Sequence, residues 1–536
     1  MKKSKIVTRI LSGVTALLVC ASVLFSCAVP ETMIPGDCNG DGTVNAVDSN
    51  LICRLVSGET VIVSLTNADL NSDGVDSEAD KNLLFKYLCG TYLPGQRFSH
   101  IILNGTDISK YVIVVPKNSS DFEKWTAQIL ADTVESLSGA KLDIQNDSKE
   151  EKTYEILIGN TSRKESEGQS AEEGKYLLFS KNMKIVLKGN DYFVAGGAGE
   201  IIAALENSTS NWNMETHVEV GPLPEQREVK WEKPENTFLF IGDGMGLNHT
   251  KMATDENPLV EYAGETLATP DESGCNIFWP STFENIGKAV TLNIQESTTD
   301  SAAGATALST GYKTLNGALG MIPADLDGDG EENEFRSVQN VREAATLRGK
   351  ATAVVSTDKQ TGATPNAFLV HHTSRKDRDI ILEQQTALDM TRLACNYVWC
   401  SYDSNDVLEN FIEAVDTCDD NPGGFFIMTE EAMIDKFGEK MDYDNVIRTV
   451  KRLNTMTAYA ATYAMCHRDT VIVITADHET GGLTYGEDEV WRWTSNGEHT
   501  SINVPVFAMG QGTEIFNDTA CDNTDIADFL FETVRK

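Results

Sequence analysis

The stretch TVIVITADHETGG, residues 470–482, decides the fold. Its first six residues are all β-branched, with no polar face, and read as a short strand buried on both sides. The run stops at Asp477 and His478, two side chains able to hold a metal or move a proton. Three other stretches repeat the plan: TFLFIGDGMG (237–246), ATAVVSTDKQTGATP (351–365) and GGFFIMTEEAMID (423–435). Apolar runs of this kind, separated by helical patterns, predict a doubly wound, mostly parallel α/β sheet. In such sheets chemistry gathers beyond the carboxyl ends of the strands, where these polar clusters fall.

Between the first two of these runs lies TTDSAAGATALSTGYKTLNGALG, residues 298–320. The helix-prone sequence after Asp300 puts Ser301 at a helix N-terminus, where backbone N–H groups and the dipole favour an anion. Ala302, Ala303 and Gly304 leave room beside it for a phosphate and metal ions. Asp243, Glu430, Asp435, Asp477, His478 and, in NGEHTSINVP, His499 supply the ligand types of a bimetallic hydrolytic site. Taken singly, each has a plainer reading: an N-cap aspartate, a core histidine, a surface glutamate. A serine hydroxyl is a weak nucleophile near neutral pH unless a base or a metal activates it.

TDSAAGATALSTGYKTLNGALG, IGDGMG, ATPNAFLVHHTSRK, TEEAMID, TADH and GEHT resemble, over about 300 residues, the alkaline phosphatase family. The resemblance implies that Ser301 is the nucleophile and that Arg375 clamps the phosphoryl oxygens with a planar fork. It implies one zinc on Asp243, Asp477, His478 and Ser301, and a second on Asp435, His499 and the residue at position 439. A magnesium on Asp243, Thr364 and Glu430 completes the implied set. Two departures stand out. Glu439 occupies the place of the family's usual histidine, which makes the second zinc site more anionic and opens it to harder cations. Gly362 stands where many relatives carry Asp or His near the magnesium site.

Upstream, DCNGDGTVNAVD (37–48) and DLNSDGVDSEAD (69–80) form a repeat of calcium-loop type. The oxygen positions are Asp37, Asn39, Asp41, Asn45 and Asp48 in the first copy. In the second they are Asp69, Asn71, Asp73, Ser77 and Asp80, with Gly42 and Gly74 at the sharp turns. Each loop leads into an apolar-patterned helix, SNLICRLVSG or KNLLFKYLCG. The duplication resembles a dockerin, which implies docking to a cohesin-bearing scaffold protein. At the positions dockerins use for recognition this chain has Ala46-Val47 and Glu78-Ala79; a purely structural calcium module is the alternative. Asp325, Asp327 and Asp329 form a partial third loop, which reads either as a calcium clip or as a solvated acidic turn.

The chain therefore divides into a signal segment (1–28), a small α-helical dockerin-like module (31–95), an α+β accessory domain (98–230) and an alkaline-phosphatase-like region (236–536). The accessory domain alternates strand-like YVIVVP, YEILIG and MKIVLKG with helical patterns and carries no cluster of catalytic residue types. A spacer or binding module is its expected role. The N-terminus has Lys2, Lys3, Lys5 and Arg9 before an apolar run, a secretory pattern. LFSC, ending at Cys27, resembles a bacterial lipobox; lipidation there and cleavage after Ala28 are alternatives, giving a cell-surface lipoprotein or a secreted protein. The eleven cysteines are scattered and read as isolated thiols.

A net charge of −37 argues against nucleic acid as a partner, because its phosphates need Lys and Arg. It also means that a phosphate substrate is drawn by a local cation, not by the whole surface. The expectation is an exported, metal-dependent phosphomonoesterase using Zn2+, Mg2+ and, in the dockerin-like module, Ca2+. Competing readings are a phosphodiesterase or sulfate-ester relative, and a catalytically weak binding component of a surface complex.

Overall fold

A computed structural model of the chain describes residues 38, 46–56, 77, 80–82, 84, 98–206, 216–218, 220–221 and 224–535, apart from 256–257, 263–264, 269–276, 327–333, 391–406, 420 and 422. The signal segment with Cys27, most of the calcium-loop ligands (Asp37, Asn39, Asp41, Asn45, Asp69, Asn71 and Asp73) and Asp327 and Asp329 lie outside these residues. The first calcium-type loop runs, as its pattern predicts, into a helix, Ala46–Val56, which includes Asp48. In the second loop the N–H and hydroxyl of Ser77 donate to Asp80 Oδ2 at 2.9 and 3.2 Å.

The central sheet has seven strands. In chain order they are β1 (Asn236–Gly242), β2 (Asn285–Val290), β3 (Ala351–Ser356), β4 (Phe425–Glu431), β5 (Thr470–Thr475), β6 (Val504–Met509) and β7 (Ala520–Asp522). Their spatial order is β3-β4-β1-β5-β6-β2-β7. Four neighbours, β3, β4, β1 and β5, run parallel, and β6 alone opposes the others. All residues of β1, β3, β4 and β5 are buried, which is why these strands read as unbroken apolar runs and not as alternation. Register aligns their ends: Ile241 stands opposite Glu430 on one side and Thr475 on the other. The residues just beyond therefore emerge at one edge of the sheet.

Four helices matter here: α1 (Asp121–Ser138), α2 (Val194–Glu206), α3 (Ser301–Thr310) and α4 (Tyr443–Cys466). Asp300 caps α3, accepting from the Ala303 N–H at 3.0 Å, and Gly311 ends it with a φ of 77°. The accessory region forms a second sheet of six strands, with α1 and α2 packed between it and α4. Ser120 and Glu123 close a capping box at the start of α1. One face of the second sheet, with α1 and α2, joins the central sheet in one continuous buried cluster from Phe98 to Val534, while Val114, Leu157, Leu177, Phe179 and Val186 form a separate cluster. Among the described residues Cys53, Cys418, Cys466 and Cys521 are in no disulfide, and no helix is long and apolar enough to cross a membrane.

Candidate active site

The strand ends and the short segments after them supply the groups of the site. Asp243 follows β1 directly, and Gly244 then turns the chain at a φ of 74°, a conformation that favours glycine; a Cβ there would lie 2.7 Å from Thr480 Oγ1 and 2.9 Å from Asp435 Cα. Glu430 is the penultimate residue of β4, and Asp435 sits in the short helix Met433–Gly438 that follows. Asp477 and His478 follow β5. His499 comes from a two-residue strand, His499–Thr500, paired antiparallel to Glu479–Thr480. Thr364 lies in the short helix Ala363–Asn366 after β3.

These side chains converge into two groups of ligand atoms, Asp243, Asp477 and His478 in one, Asp435, His478 and His499 in the other. His478 belongs to both. Its Nε2 lies 3.3 Å from Asp243 Oδ1, 3.5 Å from Asp477 Oδ2 and 3.3 Å from Ser301 Oγ. His499 stacks on it with ring centroids 3.7 Å apart, and the His499 Nε2 is 3.3 Å from Asp435 Oδ1. Thr364 Oγ1 donates to Asp243 Oδ2 at 3.3 Å. Glu430 accepts from the Ser356 hydroxyl on one oxygen, while its Oε1, like Asp243 Oδ1, is buried without a hydrogen bond.

The charges in this site are unbalanced. Burial, then the nearby Asp435, pushes Asp243 up to about 7. Burial and the neighbouring carboxylates likewise raise Asp477 and Glu430 well above the usual carboxylate range. Burial and His499 push His478 down to about 3, so its imidazole is neutral. At the other group burial opposes charge, but the Asp435–His499 pair outweighs it: His499 rises to about 9 and Asp435 falls. Buried oxygens lacking donors and carboxylates held towards neutrality are what a bound cation corrects, and the donor set of carboxylates and imidazoles suits one.

Ser301 starts α3 with its neighbours packed tightly. A Cβ on Gly304 would lie 2.6 Å from the Asp477 carbonyl oxygen, so the small residues let the helix N-terminus press against the ligand loop. Asp300 ties the parts together: its Oδ1 accepts from the Ala303 and Gly317 N–H groups, and its Oδ2 from Arg375 Nη1 at 3.2 Å. Arg375 is thereby held beside Ser301. Glu439 is exposed at the end of its helix and joins neither ligand group; His478 is the third member of the group in which the resemblance implied Glu439.

Two residues escaped the sequence reading. Asp358 carries its carboxylate into the space that Gly362 leaves open, 2.2 Å from where a Cβ would stand, and pairs with Lys436 Nζ at 3.3 Å. The tight glycine and the lysine next to Asp435 were the only signals for it. Thr480 reaches both Asp435 and His478, and the sequence gives no sign of that.

A parallel sheet with metal-ligand types and a serine beyond its strand ends is an α/β arrangement whose donor groups could hold cations. Residues 234–398 and 403–497 match the alkaline phosphatase family, and residues 35–89 match the dockerin type I domain. Alkaline phosphatase 3 of Bacillus subtilis is 26% identical over 373 residues, covering 57% of this chain and 73% of that protein. Alkaline phosphatase 4 of the same organism is 26% identical over 340 residues, covering 51% and 67%. The solved alkaline phosphatase of the Antarctic bacterium TAB5 is 23% identical, with a TM-score of 0.47, covering 57% of this chain and 99% of that one. Over its sheet-bearing region the chain is similar to the alkaline phosphatase family, which supports a phosphatase-type hydrolase that also carries a dockerin type I domain.

Proposed function

We propose that the protein is an exported phosphomonoesterase acting through a phosphoserine at Ser301. One observation carries this: the Ser301 hydroxyl, at a helix N-terminus, lies 3.3 Å from the one histidine that both ligand groups share. Asp243, Asp477 and His478 would hold one zinc. Asp435 and His499 would hold another, with Glu439 as the remaining family position. Asp243, Thr364 and Glu430 would hold magnesium. Bound there, such cations stabilise developing charge and make oxygen nucleophiles available near neutral pH.

The chain's own part is positional. The α3 N-terminus faces the incoming anion with unpaired N–H groups. Asp300 keeps the Arg375 fork beside Ser301, so two phosphoryl oxygens can be gripped while the ester oxygen points away. The Ser301 oxygen bonds to phosphorus as the bond to the leaving alcohol breaks, and the alcohol takes up a proton. Water then cleaves the phosphoserine and restores the hydroxyl, releasing phosphate. The test is hydrolysis of p-nitrophenyl phosphate and of its bis-ester by metal-stripped protein reloaded with zinc, magnesium, manganese or calcium. Monoester turnover that disappears in Ser301→Ala supports the reading. Turnover surviving that change, or confined to the diester, overturns it.

The dockerin domain supports calcium binding by its repeated loops and tethering to a cohesin-bearing scaffold outside the cell. Binding to immobilised cohesins should require calcium and vanish with a chelator; chelator-resistant binding, or none across a cohesin panel, sinks the tethering role.

A further inference from the structure

We propose that the Thr480 hydroxyl is one positioning group for both candidate cation sites, and that it fixes which nitrogen of His478 faces Ser301. The proposal rests on the phosphatase reading above and deepens it. Thr480 is fully buried. Its Oγ1 lies 2.6 Å from Asp435 Oδ1 and 3.2 Å from His478 Nδ1. An ionised carboxylate only accepts, so the single hydroxyl proton goes to Asp435. The lone pair left on Oγ1 then accepts from His478, whose Nδ1 must carry the ring proton. His478 is therefore the Nδ1–H tautomer, and its bare Nε2 is the atom 3.3 Å from both Ser301 Oγ and Asp243 Oδ1. In the opposite tautomer, Nδ1 and Asp435 would compete for one proton, and an N–H would point at the cation.

The backbone holds Thr480 in this place. Its N–H donates to the Gly244 carbonyl at 3.0 Å, and it stands opposite His499 in the two-residue ladder. Gly244 and Gly438 pack against it so closely that a Cβ on either would lie 2.7 Å from its Oγ1 or 3.2 Å from its Cγ2. One hydroxyl thus touches a ligand from each group, and its strand partner is a third ligand. Outer partners of this kind orient the ligand and raise its basicity, and their loss costs about 10–100-fold in metal affinity.

The test is calorimetric titration of Zn2+ into the full-length, chelator-stripped protein. Thr480→Val keeps the shape without the hydroxyl and should bind Zn2+ about 10–100-fold more weakly than wild type, while Thr480→Ser should restore the affinity. Equal affinity in Thr480→Val, or a Thr480→Ser protein as weak as the valine variant, overturns the proposal and leaves the phosphatase reading standing. Wild-type protein that takes up no Zn2+ overturns the proposal and the zinc sites of the phosphatase reading. Should Thr480→Val fail to fold, 15N spectra of histidine-labelled, Zn2+-loaded wild type decide: a proton on Nδ1 of His478 supports the proposal, and one on Nε2 overturns it.

Discussion

At the residue scale, Arg375 depends on its fork. Lysine would keep the charge but grip one oxygen in place of two, and would lose the hold of Asp300. A charge-assisted hydrogen bond is worth about 1.5–3 kcal/mol, so Arg375→Lys should lower kcat/KM for p-nitrophenyl phosphate by about 10–100-fold. Unchanged kinetics would mean the guanidinium does not touch the phosphoryl group. Four residues earlier, His371 joins Gly320 O and Glu343 Oε1, both at 2.8 Å. Burial opposes its charge, but these partners outweigh burial and raise its pKa above the ordinary value of about 6.5. A raised histidine stabilises fully below its unfolded pKa and loses that contribution as pH rises through the folded value. His371→Gln should therefore lower the Tm more at pH 5.5 than at pH 9; an equal loss at both would remove the charged pair from the account. The candidate nucleophile was legible because it opens a helix, and most candidate ligands because they follow buried strands, whereas Thr480 acts on Asp435, 45 residues away, and no local pattern records such a meeting.

At the element scale, α3 explains why Ser301 is followed by such small side chains. Gly→Ala inside a helix ordinarily stabilises, by about 1 kcal/mol. At Gly304 the added methyl would meet the Asp477 backbone, its carbonyl oxygen at 2.6 Å and its carbonyl carbon at 3.1 Å. Neither atom belongs to a flexible side chain, so helix and ligand loop must part. Gly304→Ala should cost about 1–3 kcal/mol in denaturant unfolding and weaken Zn2+ binding. A stabilised variant would show that the loop yields freely. The same element shows what sequence pattern could not supply. The capping aspartate and the helix it starts were readable, and so were the four parallel strands, because buried strands and helix N-termini leave local marks. The spatial order β3-β4-β1-β5, which brings the ligands together, is set by long-range pairing. The strand Tyr176–Lys181 of the second sheet, antiparallel to its neighbours, also went unread.

At the scale of the whole molecule, the accessory region is built into the phosphatase and does not hang from it. α1 and α2 lie against α4, and the contact is aromatic. Phe122 meets Trp279 edge-on with ring centroids 4.9 Å apart, and Trp125 meets Tyr459 at 5.2 Å. The Tyr192 hydroxyl reaches Thr282 Oγ1 at 2.9 Å. From the middle of α4, Arg452 grips Glu431 with two bonds, 2.6 and 2.7 Å long, one residue from Glu430. The helix that receives the accessory region is thus also tied to the ligand-bearing strand. A free spacer would melt separately and leave activity untouched. A shared core predicts one unfolding transition, and truncating a buried aromatic side chain costs about 3–5 kcal/mol wherever in that core it sits. Phe122→Ala should therefore lower the temperature of thermal unfolding and, by the same amount, that at which p-nitrophenyl phosphate hydrolysis is lost. If activity instead survives while part of the circular dichroism signal melts early, the two sheets are separable and the accessory region is a spacer after all.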